Sequence, residues 1–191
     1  MQIREAHETD IAAIATVHVA SWRSTYRGLV PDEYLDGLSV SDRERRWREV
    51  FSTVGGAQGI FVAEDPVLGI IGFADGGPSR DRVGGLGGEL YAIYLVERSQ
   101  RRGVGRRLVK AVASRLLRAG INAMSVWVLE NNPACGFYEK LGGVLIGKKT
   151  VVIGGATLAE VAYGWTDLHR VAEDNPGGTS SPALRPANQK S

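Results

Sequence analysis

The order of elements legible in this sequence predicts an α/β (α+β) domain built on a mixed, mostly antiparallel sheet of about seven strands. Three observations carry that prediction. A long amphipathic helix stands over 104–118, with apolar strands on either side of it. Residues 59–74 read as one hairpin and 144–165 as a second. Three short helical patterns fill the first fifty residues, so the elements run β-ααα-ββ-β-α-β-α-ββ.

Met1 to Ala6 reads as a short strand with Ile3 as its apolar member. Thr9 or Asp10 can cap the helix that follows, where Ile11, Ile14, Ala15 and Val17 keep helical spacing. That helix continues through His18 and Trp22 towards Tyr26, and Gly28 and Pro31 break it. Pro31 opens a second short helix with Tyr34, Leu35 and Leu38. A third, from Ser41 to Phe51, is heavily charged but carries Trp47, Val50 and Phe51 on one side. Strands at Gly59–Glu64 and Val67–Ala74 are joined by an Asp65-Pro66 turn. Residues 76–88 are Gly-rich and polar, and read as an irregular loop. The strand Glu89–Val96 comes next. In the long helix Val104, Leu108, Val112 and Leu116 form the apolar stripe, while arginines and Lys110 fill the other face. Gly120 suits a left-handed residue after its last turn. A strand at Ala123–Leu129, a short helix around Phe137 and Tyr138, and the hairpin Val144–Ile153 with Thr157–Trp165 complete the domain, read as 1–170. From 171 to 191 Pro, Gly, Ser, Asn and Lys dominate, as in a disordered tail.

Composition bounds the function. The 191 residues fit one domain that buries roughly two-thirds of its unfolded surface. A formal net charge of only +2 argues against a general nucleic-acid binder, because the basic residues are local, clustered at 98–107. No apolar run reaches the roughly 20 residues that span a bilayer, so no membrane partner is expected. The amino terminus lacks a basic-then-apolar leader pattern, and the single Cys135 excludes an internal disulfide. Both fit a reducing cytoplasm. The three histidines are scattered, so no metal site is expected.

The chemistry concentrates where the strand at 89–96 feeds Gln100-Arg101-Arg102-Gly103-Val104-Gly105 and then the helix. Glycine lets backbone turn tightly and approach a ligand. The first amides of a helix have no intrahelical partner, and its dipole favours negative charge. With Arg101, Arg102, Arg106 and Arg107 around them, these amides suit a pyrophosphate. A plain strand-to-helix turn with solvated arginines would use the same residues. The Lys-Thr or Lys-Ser ending of an ATP phosphate loop is absent, and a dinucleotide fingerprint would want its third glycine at Leu108.

This loop resembles the acyl-coenzyme A loop of the GNAT superfamily of N-acetyltransferases, Gln/Arg-x-x-Gly-x-Gly/Ala. A second stretch, Asn131-Asn132-Pro133-Ala134-Cys135-Gly136-Phe137-Tyr138-Glu139-Lys140-Leu141-Gly142, resembles the same family's Asn-x-x-Ala-x-x-Phe-Tyr-x-x-Leu-Gly signature. It departs from the family at Gly143, where an aromatic is usual. The resemblance spans residues 1–168. It implies a GNAT-like fold with helices on both faces of the sheet, and a fourth and fifth strand that splay to admit the pantetheine arm. It implies acetyl-CoA as cosubstrate and direct acetyl transfer to a primary amine, on a small molecule or a peptide or protein. A non-catalytic acyl-CoA-binding regulatory module with the same fold is the alternative, and an RNA- or DNA-contacting use of the arginine-rich loop is a third reading. A homodimer is compatible with all of them.

The resemblance assigns roles residue by residue. Arg101, Arg102, Gly103, Val104, Gly105 and Arg106 hold the pyrophosphate. The backbone of Ile93, Tyr94 and Leu95 pairs with the pantetheine, which Asn131 also contacts. Tyr138 is the expected general acid, because a phenol of pKa about 10 is protonated at neutral pH. Glu89, fourteen residues before Gly103, is the expected base. Strand parity puts it on the face of Tyr91, Ile93 and Leu95, where burial would raise its pKa towards neutrality. Trp22 and Tyr26 wall the acceptor pocket, although aromatics at helical spacing also suit a core. Cys135 reads as a packed thiol.

Overall fold

Asp65 makes the first hairpin: its carboxylate accepts from the backbone N–H groups of Val67 (3.0 Å) and Leu68 (3.1 Å), and the chain doubles back. The computed structural model describes residues 1–173. Its strands are β1 (Gln2–Glu5), β2 (Gly59–Asp65), β3 (Gly69–Pro78), β4 (Gly88–Leu95), β5 (Met124–Leu129), β6 (Val144–Ile153) and β7 (Ala156–Trp165). They form one sheet in the order β1-β2-β3-β4-β5-β7-β6. Every neighbouring pair is antiparallel except β4 and β5, which run parallel and pair only at Gly88↔Met124 and Glu89↔Ser125. Beyond that second rung the two strands part, as expected.

The helices are α1 (Ile11–Thr25), α2 (Asp32–Asp36), α3 (Val40–Thr53), α4 (Val104–Arg118), α5 (Cys135–Lys140) and α6 (Leu168–Ala172). On one face of the sheet α1 and α3 pack Ile11, Ile14, Val17 and Trp47 against Ile60, Val62 and Phe73. On the other, the stripe Val104, Leu108, Val112 and Leu116 of α4 is buried against Leu90, Met124 and Val126. Complete burial of such side chains is worth roughly 1.5–3 kcal/mol each, and this helix anchors the domain. None of the described helices is long and apolar enough to cross a membrane.

Several expectations need correction. Pro31 precedes α2 rather than opening it, and Leu38 lies beyond its end. Ser39 caps α3, its hydroxyl accepting from the Asp42 N–H at 3.3 Å, so that helix starts before Ser41. The glycines read as loop at 76 and 77 belong to β3, paired with Leu90 and Glu89. A Cβ on Gly76 would stand 2.5 Å from Val112, so glycine is what lets α4 lie on the strand. After Trp165, the sequence reading missed α6, which Asp167 caps and whose Leu168 is fully buried. The expected tail lies outside the described residues from 174 onwards.

The correction with most consequence is a β-bulge in β4. Gly76 pairs with Leu90 but Asp75 pairs with Ala92, which leaves Tyr91 as an extra residue. Side chains alternate along a strand, so the extra residue reverses the alternation. Leu90, Ile93 and Leu95 all pack on the α4 side, whereas Ala92 and Tyr94 pack on the α1 side. Glu89, next to Leu90, therefore faces the α1 side and does not share the face of Ile93 and Leu95.

Candidate active site

Where β4 and β5 diverge, each keeps backbone N–H and C=O groups that lack a ladder partner on that side. The gap widens into a groove of about 1000 Å³. Ile93, Tyr94 and Leu95 form one wall, and Val126, Trp127 and Val128 the other. Ser21 and Tyr26 approach from α1, and Phe137 and Tyr138 from α5. The Leu95 carbonyl, turned away from any β5 partner, accepts from Ser21 Oγ at 3.0 Å and Gln100 Nε2 at 3.3 Å. These two bonds fix the end of the strand just before the loop.

That loop closes one end of the groove with Gln100, Arg101, Gly103, Gly105 and Arg106. Arg101 (φ 57°) and Gly103 (φ 77°) are left-handed while Arg102 between them is not, the alternation of hand that makes an anion nest. Gly105 is tight for a different reason, since a Cβ there would come within 3.2 Å of the Phe137 ring. Arg102 is exposed and off the wall. The Val104 side chain is buried in the core beneath the helix start, so only its main chain is available to a ligand.

Three phenols, Tyr26, Tyr94 and Tyr138, line the groove. Tyr138 is 4% exposed, with its ring 6.1 Å from Trp165 and 6.0 Å from Tyr163. Burial, and secondarily the neighbouring Tyr94, pushes its pKa far above the ordinary phenol value. Burial likewise lifts Tyr26 to about 12 and raises Tyr94 strongly. All three keep their protons at any physiological pH and offer O–H donors on the groove wall.

The other anticipated residues divide. Asn131 is exposed and off the groove wall; its neighbour Asn132, only 5% exposed, lines the groove and accepts from the Ala134 N–H at 2.8 Å. The turn that Asn132 makes before Pro133 points it inward, and that Asn-Pro pair was the available signal. Trp22 stands behind the wall, its ring 4.6 Å from Tyr26. Glu89 does not line the groove. Its carboxylate is 1% exposed and held by Arg80, through the backbone N–H (2.9 Å), Nε (3.1 Å) and a short contact to Nη2. Among the described residues the only carboxylate on the groove wall is Glu97, at the loop end. Ser21, Gln100, Trp127 and Asn132 were not singled out as site residues, although Gln100 stands first in the loop motif.

His18 belongs to the core. Its ring stacks on Tyr94 at 4.8 Å, its Nδ1 accepts from Trp47 Nε1 at 3.3 Å, and burial lowers its pKa to about 3. Burial raises the pKa of Cys135, keeping it a thiol facing the Leu129 and Glu130 carbonyls. The described residues hold no cluster suited to a metal ion.

Residues 80–152 match the family model described as FR47-like protein. The chain is 42% identical over 166 residues to the uncharacterized N-acetyltransferase YuaI of Bacillus subtilis, covering 87% of this chain and 93% of that protein. It is 31% identical over 147 residues to the probable N-acetyltransferase Rv2775 of Mycobacterium tuberculosis, covering 73% and 78% respectively. Among solved structures it is similar to YncA, a putative acetyltransferase from Salmonella typhimurium with its cofactor acetyl-CoA. The TM-score is 0.64 at 18% identity, over 96% of this chain and 98% of that one.

Proposed function

Since this chain belongs to the GNAT superfamily of N-acetyltransferases, we propose that the groove binds acetyl-CoA and that its acetyl group passes directly to a primary amine. The observation that carries this reading is the open edge of β4, which runs from an anion nest to the Tyr138 phenol. The fit is chemical at each point. The nest and the guanidinium groups of Arg101 and Arg106 hold a pyrophosphate. The main-chain groups that β4 leaves without a ladder partner on the β5 side, the Leu95 carbonyl apart, match the amides of an extended arm. Asn132 takes the place that the sequence assigned to Asn131.

Bound there, acetyl-CoA supplies a thioester carbonyl. The β4 amides and the phenols of Tyr26 and Tyr94 donate towards the charge that develops on its oxygen. As the carbon–sulfur bond breaks, Tyr138 donates its proton to the departing sulfur and takes one back from solvent as coenzyme A leaves. The new bond joins the amine nitrogen to the acetyl carbon, and the nitrogen's surplus proton leaves to solvent. We assign that last step to water because Glu89 is engaged by Arg80.

This assignment predicts a pH profile. An alkylammonium ion has a pKa near 10.4, so kcat/KM rises with the fraction of free amine and shows no separate enzymic limb between about pH 6 and 8. Such a limb, present in wild type and absent in Glu89→Gln, would restore Glu89 as the base. The direct test of the activity is thiol release from acetyl-CoA across a panel of amines, with mass spectrometry of the product. Tight coenzyme binding with no turnover on any amine would favour a regulatory module.

Gly103→Val tests the nest. Its φ of 77° is a region that β-branched residues avoid, and a side chain there also obstructs close approach of the ligand. Calorimetry should show coenzyme A binding weakened by about tenfold or more, or roughly 1.4 kcal/mol. Unchanged affinity in a folded variant would reduce the loop to a turn.

A further inference from the structure

Two consecutive residues of the 79–87 connection fasten onto opposite walls of the groove. Arg80 takes the β4 wall. Its guanidinium lies 4.5 Å over the ring of Tyr91, whose hydroxyl donates to the Pro78 carbonyl at 2.5 Å. Asp81 takes the β5 wall. Its Oδ2 accepts from Trp127 Nε1 at 2.7 Å, and its Oδ1 accepts from the Val83 N–H at 3.2 Å. The bond to the indole is short, as befits an ionised acceptor. The connection itself is closed at its base, where the Ser79 N–H donates to the Gly87 carbonyl at 2.8 Å.

Tyr91 and Trp127 hold matching places. Each stands two residues past the last rung of the β4–β5 ladder, Glu89↔Ser125, at the apex of the fork, and both line the groove. Val126 and Val128 pack in the α4 layer, so Trp127 between them faces the α1 side. There the Lys149 ammonium lies 3.7 Å from the indole ring centre, 3.5 Å from Asp81 and 3.8 Å from Glu160. The indole is thus held by its N–H edge and by a cation on one face. None of these contacts is used in the transfer chemistry above. The anion nest, by contrast, follows Leu95, four residues along β4 from Tyr91, or roughly 13 Å of strand. An arm that enters at the nest and lies along the open edge of β4 carries its thioester towards the apex.

We infer that the carbon body of the acceptor rests on the Trp127 indole at that apex, and that Asp81 is the positioning residue that holds the ring for it. The inference rests on the acetyltransferase reading and narrows its substrate class to amines on an apolar body, an aralkylamine or a longer alkylamine. Such a body removes apolar area from water against the rings of Trp127 and Tyr91. A short amine has too little carbon to gain from them.

The test uses the full chain loaded with coenzyme A and measures calorimetric binding of amines, with thiol release from acetyl-CoA alongside. The probes are phenethylamine and n-hexylamine, with ethylamine as the short reference. Wild type should bind the two longer amines about tenfold or more tightly than ethylamine. That ratio should fall towards one in Asp81→Ala, which frees the ring. It should recover in Asp81→Asn, whose amide oxygen still accepts from the indole. Trp127→Phe keeps a ring but has no N–H to hold, and should behave as Asp81→Ala does, so the outcome does not hang on one variant folding. A purely structural role for Asp81 would weaken all three amines alike and leave the ratio unmoved. Equal binding of long and short amines by wild type would overturn the inference, as would a ratio that survives in Asp81→Ala or Trp127→Phe. So would coenzyme A affinity that falls in step with amine affinity, which would give the ring to the coenzyme. Because the ratio is read from binding, it is decided separately from the activity. Absence of thiol release with every amine would count against acetyl transfer itself.

Discussion

Tyr138→Phe lowers turnover by about 100-fold or more, the usual scale for a positioned proton donor and equivalent to roughly 2.7 kcal/mol at the transition state. The variant keeps the ring and so its contacts with Trp165, Tyr163 and Phe137. No hydrogen bond within the described residues depends on the hydroxyl, so stability should change by less than about 1 kcal/mol. Coenzyme affinity should hold, because the nest residues Arg101 and Gly103 are untouched and the Tyr138 ring is kept. Single-turnover kinetics beside calorimetry separate these quantities. Normal turnover with a good acceptor would leave Tyr138 as packing and hand the leaving thiolate to water.

Arg80→Ala has the largest expected effect on stability, about 3 kcal/mol in urea unfolding. It strands the Glu89 carboxylate, 1% exposed, with only the backbone N–H of residue 80 as donor. Glu89→Gln should cost less, since the abandoned guanidinium is 63% exposed and hydrates freely. The double variant Arg80→Ala with Glu89→Gln should then be more stable than Arg80→Ala alone, the non-additivity expected of a coupled pair. A loss within about 0.5 kcal/mol for Arg80→Ala would make the contact an ordinary surface ion pair.

The sequence was most legible where local chemistry decides the structure. The stripe from Val104 to Leu116 has one periodic solution, and all four of its residues are buried. Gly103 stands where backbone must be left-handed, and it is. Legibility ended where a distant element decides. Gly76 reads as loop until Val112 is seen against it. Asn131 and Asn132 are indistinguishable until the turn buries one of them. Nothing in the order of residues pairs Glu89 with Arg80, because that pairing needs the 79–87 connection to fold back over β4. Parity failed in β4 because it assumes an unbroken ladder, and Tyr91 interrupts it.

That interruption makes β4 a strand whose phase matters more than its composition. Most positions in it should tolerate a similar side chain, at a cost set by packing. Removing one residue at Tyr91 is a different kind of change. The ladder with β3 would close into regular pairing, with Leu90 still opposite Gly76 and Ala92 still opposite Asp75. Leu90, Ile93 and Leu95 would stay in the α4 layer, and Glu89, Ala92 and Tyr94 on the other face. A residue added within a regular stretch of β4 would instead turn one flank over, carrying with it either the groove wall or the Arg80 clasp, so Tyr91 is the place where this strand can change length and keep both.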